Sequence, residues 1–114
     1  MNELFKAAKQ AYLNSYSPYS KFKVGASLKT TDGTIIAGTN VENASYGLSN
    51  CAERTALFTA YSKGYRKEDI KTLLILGDTK QPISPCGACR QVFVELLNPK
   101  TTIILCNLAG ESKE

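Results

Sequence analysis

Cys51-Ala52-Glu53 and, further along the chain, Pro85-Cys86-Gly87-Ala88-Cys89 are the two stretches around which this chain of 114 residues is organised. Together they offer three thiols and one carboxyl group. The spacing of Cys86 and Cys89 lets two thiolates face one metal ion from a single helical turn, and tetrahedral zinc takes its further ligands from elsewhere. Cys51 is the natural third thiolate, so the sequence predicts one zinc site shared by both stretches.

Both stretches have the residue types that begin helices. Asn50 and Ser84 are good N-caps, and Pro85 suits a first helical turn. The sulfur atoms of Cys51 and Cys86 are therefore expected near unsatisfied backbone N–H groups and the positive end of a helix dipole. This environment favours thiolate over thiol.

Glu53 and Arg54 follow Cys51 directly and have chemical roles in such a site. Three protein ligands leave one position open for water, whose pKa zinc lowers to about 7. Glu53 is close enough to relay protons as a general base and then a general acid without being a ligand. The Arg54 guanidinium can donate to the sulfur atoms and withdraw part of the excess negative charge of three thiolates.

The ordered motifs, C-A-E followed by P-C-G-A-C, resemble the zinc-dependent cytidine deaminase family, whose pattern is H/C-x-E followed by P-C-x-x-C. The resemblance extends from about Tyr12 to Gly110, and several ordered blocks are more specific than one motif alone. Because its first ligand position is a cysteine, the chain is similar to the small, three-cysteine nucleoside enzymes of this family, which are usually homotetramers. The blocks that carry the resemblance are Tyr19 to Ala26, Asn40 to Tyr46, Cys51 to Ala56 and Pro85 to Gln91.

The resemblance implies hydrolytic deamination of cytidine and deoxycytidine to the uridines and ammonia, as part of pyrimidine salvage. It implies one zinc ion per chain, held by Cys51, Cys86 and Cys89, with Glu53 as the catalytic residue. Asn40 and Glu42, two residues apart on one side of an extended chain, correspond to the family's ribose ligands. The full set of implied nucleoside contacts is Phe22, Asn40, Glu42, Ala52 and Tyr46.

The resemblance also implies a homotetramer, in which a C-terminal segment with an aromatic residue completes a neighbouring subunit's site. This chain ends at Glu111-Ser112-Lys113-Glu114. We therefore expect that segment to be absent from the single domain of residues 1–114.

Composition narrows the choice of partners and location. The 14 Lys and Arg residues exceed the 10 Asp and Glu residues by only four, and they form no run, so no nucleic-acid partner is expected. The longest apolar run, Leu73 to Leu76, is too short to span a bilayer, and the N-terminus lacks the apolar core of a signal peptide. We expect a cytoplasmic protein with reduced thiols. Because the chain has no His, Ser-His and Cys-His mechanisms are excluded.

Hydrophobic periodicity predicts the element order α-β-β-α-β-α-β. The unalternating run Leu73-Leu74-Ile75-Leu76 is typical of a strand covered on both faces. We therefore predict an α/β fold, a three-layer α/β/α sandwich with a central mixed sheet. The expected elements are a helix to about residue 14, strands at 24–28 and 34–40, a helix from 51 to Gly64, a strand at 71–77, a helix at 86–97 and a strand at 101–107.

Alternatives remain at this level. The substrate could be another cytosine-containing nucleoside, such as a nucleoside antibiotic. The chain could instead be a non-catalytic, zinc-stabilised interaction module, which predicts Cys106 as a fourth ligand. We expect Cys106 to be a buried strand residue, because free Cys behaves as a small hydrophobe. Phe22 and Tyr46 could be packing residues, and Tyr16 and Tyr19 are expected to pack within a loop.

Overall fold

The computed structural model describes residues 2–19, 21–44, 51–77, 87–110 and 112–113. Three α-helices, a short 3₁₀ helix and five strands occur in these ranges. They are α1 (Asn2–Leu13), β1 (Val24–Thr30), β2 (Ile35–Thr39), α2 (Ala52–Ser62), the 3₁₀ helix (Lys67–Asp69), β3 (Ile70–Gly77), α3 (Gly87–Leu96), β4 (Thr102–Asn107) and β5 (Ser112–Lys113).

The five strands form one mixed sheet in the order β2-β1-β3-β4-β5. β1 is antiparallel to both β2 and β3, β3 and β4 are parallel, and β4 and β5 are antiparallel. Helices cover both faces, so the predicted three-layer α/β/α sandwich with a mixed sheet is confirmed. The predicted order lacked only β5 and the 3₁₀ helix, which are too short to produce a periodic pattern.

The central strand β3 shows why the core has two parts. Leu73, Leu74, Ile75 and Leu76 are all fully buried, as expected of a strand covered on both faces. Leu73 and Ile75 belong to the cluster packed against α2 and α3, which we call the α2 face. Leu74 and Leu76 belong to the cluster packed against α1, which we call the α1 face.

Helix α1 lies directly on β1 because Gly25 has no side chain. A Cβ atom at Gly25 would lie 2.0 Å from the backbone oxygen of Ala8. Two residues along the strand, the buried Ser27 hydroxyl donates a hydrogen bond of 2.6 Å to the backbone oxygen of Leu4. Strand and helix are thus joined by close backbone approach as well as by apolar burial.

Helix α2 ends as the sequence predicts, at a glycine. Gly64 has a φ of 98°, and its N–H donates to the Tyr61 oxygen at 3.0 Å. The Tyr65 N–H donates to the Ala60 oxygen at 3.1 Å, which completes a Schellman C-cap. None of the helices in the described ranges is long and apolar enough to cross a membrane.

Candidate active site

Cys51 occupies the N-cap position of α2. Its φ of −78° and ψ of 156° are extended, and its carbonyl oxygen accepts the Thr55 N–H at 3.0 Å. The prediction that Asn50 caps this helix is therefore wrong by one residue, and Asn50 itself lies outside the described residues. As the N-cap residue, Cys51 still has its thiol at the positive end of the helix, where a thiolate is stabilised.

The Arg54 side chain folds back onto Cys51. Its Nη2 atom donates to the Cys51 sulfur at a distance of 3.3 Å, one helical turn from the N-cap. Both side chains are half-buried. A guanidinium in contact with the sulfur adds a second source of positive potential to that of the helix dipole, so both groups favour the thiolate that zinc requires.

Glu53 lies in the first turn of α2 and is only 5% exposed. A Glu this deeply buried is uncommon, because removing a carboxylate from water is costly without compensating partners. Its neighbour Ala52 is fully buried against the sheet, which fixes the backbone on which the carboxyl group is mounted. A buried carboxyl group beside a candidate metal ligand is suited to proton transfer.

Gly38 in β2 positions this first turn, although it belongs to none of the motifs in the sequence. A Cβ atom at Gly38 would lie 2.5 Å from the Ala56 nitrogen and 2.6 Å from the Ala52 oxygen. The start of α2 can therefore rest on β2 only because residue 38 is glycine. The available signal was an isolated Gly within a strand pattern, which often marks close backbone approach.

The other predicted metal ligands lie beyond what the structure describes. Cys86 and Tyr46 are outside the described ranges, and Cys89 is in α3 with its side chain undescribed. Helix α3 begins at Gly87, the residue directly after Cys86. Within the described ranges, no group of three or more Cys, His, Asp or Glu side chains could hold a metal ion. The ligand set therefore stays a prediction.

Cys106 is a buried strand residue, as predicted. It is 1% exposed in β4 and belongs to the cluster of the α1 face. Burial raises the pKa of its thiol, which keeps it protonated. Cys51 packs against the cluster of the opposite face. Two thiolates on one zinc ion each lie about 2.3 Å from it, so residues separated by the sheet cannot share the ion. Cys106 is therefore not placed to be the fourth ligand that the interaction-module alternative requires.

Asn40 follows β2 directly, two residues beyond Gly38, and its side chain is buried. Its Oδ1 atom accepts the Val24 N–H at 2.9 Å, and its Nδ2 atom donates to the Phe22 oxygen at 2.9 Å. The Ser15 hydroxyl also donates to Oδ1. The Asn40 amide therefore holds the chain at the entry to β1, where Phe22 lies.

Glu42 and the segment before Phe22 lie against the same strand end. The Glu42 Oε1 atom accepts the Tyr19 N–H at 3.0 Å, and the Glu42 N–H donates to the Tyr16 oxygen at 2.9 Å. Lys21 has a φ of 60°, a left-handed conformation that is uncommon for non-glycine residues. The structure thus brings Phe22, Asn40 and Glu42 into one region, as the sequence predicts.

Aromatic side chains of this region are at the surface. Tyr16 and Tyr19 are 56% and 60% exposed, so the expectation that they pack within the loop is wrong. Phe22 is also exposed, which contradicts its alternative interpretation as a core aromatic. Their backbones are held by hydrogen bonds to residues 40–42, so the segment can be ordered without burying the rings.

Comparison with known proteins places this arrangement in a family. Residues 1–106 match the model of the cytidine and deoxycytidylate deaminase zinc-binding region. The chain is 55% identical over 111 residues to a cytidine deaminase of Halalkalibacterium halodurans, an alignment that covers 97% of this chain and 83% of the relative. It is 48% identical over 114 residues to a cytidine deaminase of Sporosarcina psychrophila, covering all of this chain and 82% of the relative.

A solved structure supports the same relationship. The fold matches the crystal structure of a cytidine deaminase from Burkholderia pseudomallei with a TM-score of 0.94 and 53% sequence identity. The match covers 98% of this chain and 88% of the crystallised chain.

Proposed function

The chain belongs to the cytidine and deoxycytidylate deaminase family, and we propose that it deaminates cytidine and deoxycytidine hydrolytically to uridine and deoxyuridine with release of ammonia. The observation that carries the proposal is the start of α2. There Cys51, in contact with Arg54, lies two residues from the buried carboxyl group of Glu53. This combination provides a metal ligand and a proton carrier on one fixed helical turn.

The family uses zinc, and the donor chemistry of this chain fits that ion. Cys51 is at a helix N-terminus and accepts a hydrogen bond from a guanidinium, which are the conditions that favour a thiolate ligand. We assign Cys51, Cys86 and Cys89 as the ligands of one Zn²⁺ per chain. When bound, the ion supplies a Lewis acid and lowers the pKa of a coordinated water to about 7.

Glu53 moves the protons of the reaction. Its carboxylate takes a proton from the attacking water and gives it to the ring nitrogen beside the carbon that bears the amine. The same carboxyl group then passes the second proton of that water to the departing amine, which leaves as ammonia. Because the side chain is 5% exposed, few bulk water molecules compete for these transfers.

The nucleoside is held by Phe22, Asn40, Glu42, Ala52 and Tyr46. Asn40 Nδ2 carries two hydrogen atoms, of which the Phe22 oxygen takes one. We assign the second to a ribose hydroxyl, with the Glu42 carboxylate accepting from the same sugar. Asn40 also connects the two halves of the site, because it follows the strand on which Gly38 positions α2.

The proposal extends to assembly and location. Phe58 on α2 and Leu13 and Val41 near the nucleoside segment are about half exposed, and association into a homotetramer would cover such apolar surface. Thiolate ligands require a reducing compartment, which supports a cytoplasmic enzyme of pyrimidine salvage.

The experiment is ammonia release from cytidine and from deoxycytidine by protein of measured zinc content, beside Glu53→Gln. We expect the variant to lose about 100- to 10,000-fold in kcat while retaining about one zinc per chain, because general acid-base catalysis contributes in that range. Glu95→Gln, on the exposed side of α3, is the matched control and should keep parental activity. A zinc-loaded parent that releases no ammonia from either nucleoside would contradict the proposal.

A further inference from the structure

We propose that Ser15 is a positioning residue for nucleoside binding: its hydroxyl anchors the Asn40 amide so that this amide presents only an N–H donor to the sugar. The inference rests on the proposed role of Asn40 in holding the nucleoside. Ser15 lies outside the sequence motifs that carry the family resemblance.

The hydrogen-bonding capacity of the Asn40 amide carries the argument. An asparagine side chain has two acceptor positions on oxygen and two N–H donors on nitrogen. The Val24 N–H and the Ser15 hydroxyl occupy both acceptor positions, and the Phe22 oxygen takes one donor. Among the described residues no further group bonds this amide, so one N–H remains, and its direction is fixed by the other three bonds.

Removing the Ser15 hydroxyl would change what Asn40 offers. One acceptor position on Oδ1 would open, and water or a small rotation of the amide could fill it. The remaining N–H would then point at the sugar less consistently. The net contribution of one hydrogen bond corresponds to roughly a 2- to 12-fold change in an equilibrium constant. We expect nucleoside binding to weaken by a factor in that range.

The backbone of Ser15 is held independently of its side chain. Its N–H donates to the Tyr12 oxygen at 3.2 Å, just beyond the end of α1. The next residue, Tyr16, pairs with the strand end, because its N–H donates to the Asn40 oxygen at 3.1 Å and its oxygen accepts the Glu42 N–H at 2.9 Å. Loss of the hydroxyl should therefore leave the loop in place, so that kinetics report on the hydrogen bond itself.

Ser17 provides a matched control. Its hydroxyl is hydrogen-bonded to that of Ser15, with 3.2 Å between the two oxygen atoms. Among the described residues, it makes no hydrogen bond to the Asn40 side chain. Ser15→Ala and Ser17→Ala thus remove the same group from the same loop, but only the first removes a partner of Oδ1.

The test measures kcat and KM for cytidine in zinc-loaded parent, Ser15→Ala, Ser17→Ala and Ser15→Thr. We expect Ser15→Ala to raise KM about 3- to 10-fold with kcat within about 2-fold, since the interaction contributes to binding rather than to proton transfer. Ser17→Ala and Ser15→Thr, which retain the hydroxyl on Asn40, should keep the parental KM. Equal effects of the two alanine variants, or no change in Ser15→Ala, would overturn the inference.

A double-mutant cycle tests whether Ser15 acts through Asn40. At a temperature at which circular dichroism shows every variant folded, Ser15→Ala should add little to the KM increase of Asn40→Ala, because coupled residues are not additive. Full additivity would show that Ser15 acts independently and would overturn the inference. If Asn40→Ala leaves KM unchanged while ammonia is still released, the sugar assignment of Asn40 has failed, and this inference fails with it. Should Ser15→Ala not fold, Ser15→Cys, which keeps the shape of the side chain but replaces the hydroxyl by a weaker and larger donor, carries the same test.

Discussion

The α1 face and the α2 face of the sheet each carry one described cysteine, in opposite environments. Cys106 is enclosed by apolar side chains on the α1 face, and burial raises the pKa of its thiol. Cys51 is at the start of α2, half-buried, with the Arg54 guanidinium 3.3 Å from its sulfur. The same side chain is thus an inert core group on one face and a candidate metal ligand on the other. The position at the start of a helix and the charged neighbour Arg54 are what make the Cys51 thiol differ from that of Cys106.

The two faces use the same device to bring a helix onto the sheet. Gly25 admits the backbone of α1 and Gly38 admits the backbone of α2. On the α1 face this close approach sets the packing of α1 as far as Tyr12, whose oxygen accepts the Ser15 N–H. On the α2 face it fixes the turn that carries Cys51 and Glu53, so a packing glycine also positions the candidate site.

The largest expected difference between the faces is in zinc binding. Cys51→Ala removes a proposed ligand, and we expect zinc affinity to fall by at least the 10- to 100-fold typical of losing an outer-shell partner, with activity falling alongside. Cys106→Ala should retain parental zinc content and kcat, at a cost of about 1 kcal/mol in unfolding free energy, typical of a point mutation. Zinc titration and ammonia release measure both.

Cys106→Ala is also the variant that could break the comparison. Loss of zinc from this variant, at a temperature at which it is folded, would mean that the thiol reaches the metal across the sheet. The assignment of the two faces to packing and to chemistry would then be wrong.

The two glycines are expected to separate stability from activity. Gly25→Ala places a methyl group 2.0 Å from a backbone atom of α1, and Gly38→Ala places one 2.5 Å from a backbone atom of α2. Overpacking of this kind lowers the free energy of unfolding by about 1–3 kcal/mol. Only Gly38→Ala should also displace Cys51 and Glu53, and a displacement of about 1 Å can cost about 100-fold in rate. Thermal unfolding and kcat, both measured on zinc-loaded protein, test this. A similar kcat in the two variants would show that the Gly38 contact does not position the site.

The sequence predicted the layers of this fold because its strongest signals are local. The unbroken apolar run of β3 indicates a strand covered on both faces, and Gly64 ends α2 as expected. β5 was missed because two residues carry no period. The cap of α2 was placed one residue early because Asn50 is the better capping type, whereas the position is taken by Cys51, whose side chain makes no capping hydrogen bond.

The sequence predicts the chemical groups of the candidate site, but not the residues that hold those groups in position. Residue types and spacing indicated the thiolates, Glu53 and Arg54, since metal chemistry accepts few alternatives. The contributions of Gly38 and Ser15 depend on which elements meet in space. Gly38 is recognised by its distance to α2, and Ser15 by a hydrogen bond to a residue 25 positions away. An isolated Gly within a strand indicates close backbone approach, but no local sequence pattern identifies the partner in either contact.

Removing one hydrogen bond from each face should lower the unfolding free energy by a smaller amount, and by a similar amount on the two faces. Ser27→Ala removes the bond from β1 to the Leu4 oxygen, and Tyr61→Phe removes the 2.8 Å bond from α2 to the Leu96 oxygen in α3. Each should lower the unfolding free energy by about 1 kcal/mol, because that is the usual net contribution of a hydrogen bond. Chemical denaturation with zinc bound measures both. A much larger loss in one variant would show that the two faces contribute unequally to stability.

The smallest expected effect lies at the tip of the β1–β2 hairpin, outside both faces. The Asp32 carboxylate accepts hydrogen bonds from the Thr30 hydroxyl, the Thr34 N–H and the Tyr65 hydroxyl, and these hold its pKa well below the usual range. A lowered pKa in the folded state means that the carboxylate stabilises the fold above its unfolded pKa of about 4, and that this contribution fades as the pH falls below that value.

Asp32→Asn should therefore unfold at a slightly lower temperature than the parent at pH 7, and the difference should shrink as the pH is lowered below about 4. Loss of zinc in acid affects both proteins alike, so the difference between their unfolding temperatures isolates the hairpin. A difference that stays constant from pH 7 to pH 3 would show that Asp32 contributes through the shape of the turn and not through its charge. In either case kcat at pH 7 should remain parental, because the carboxylate lies at the far end of β2 from Asn40 and outside the α2 face.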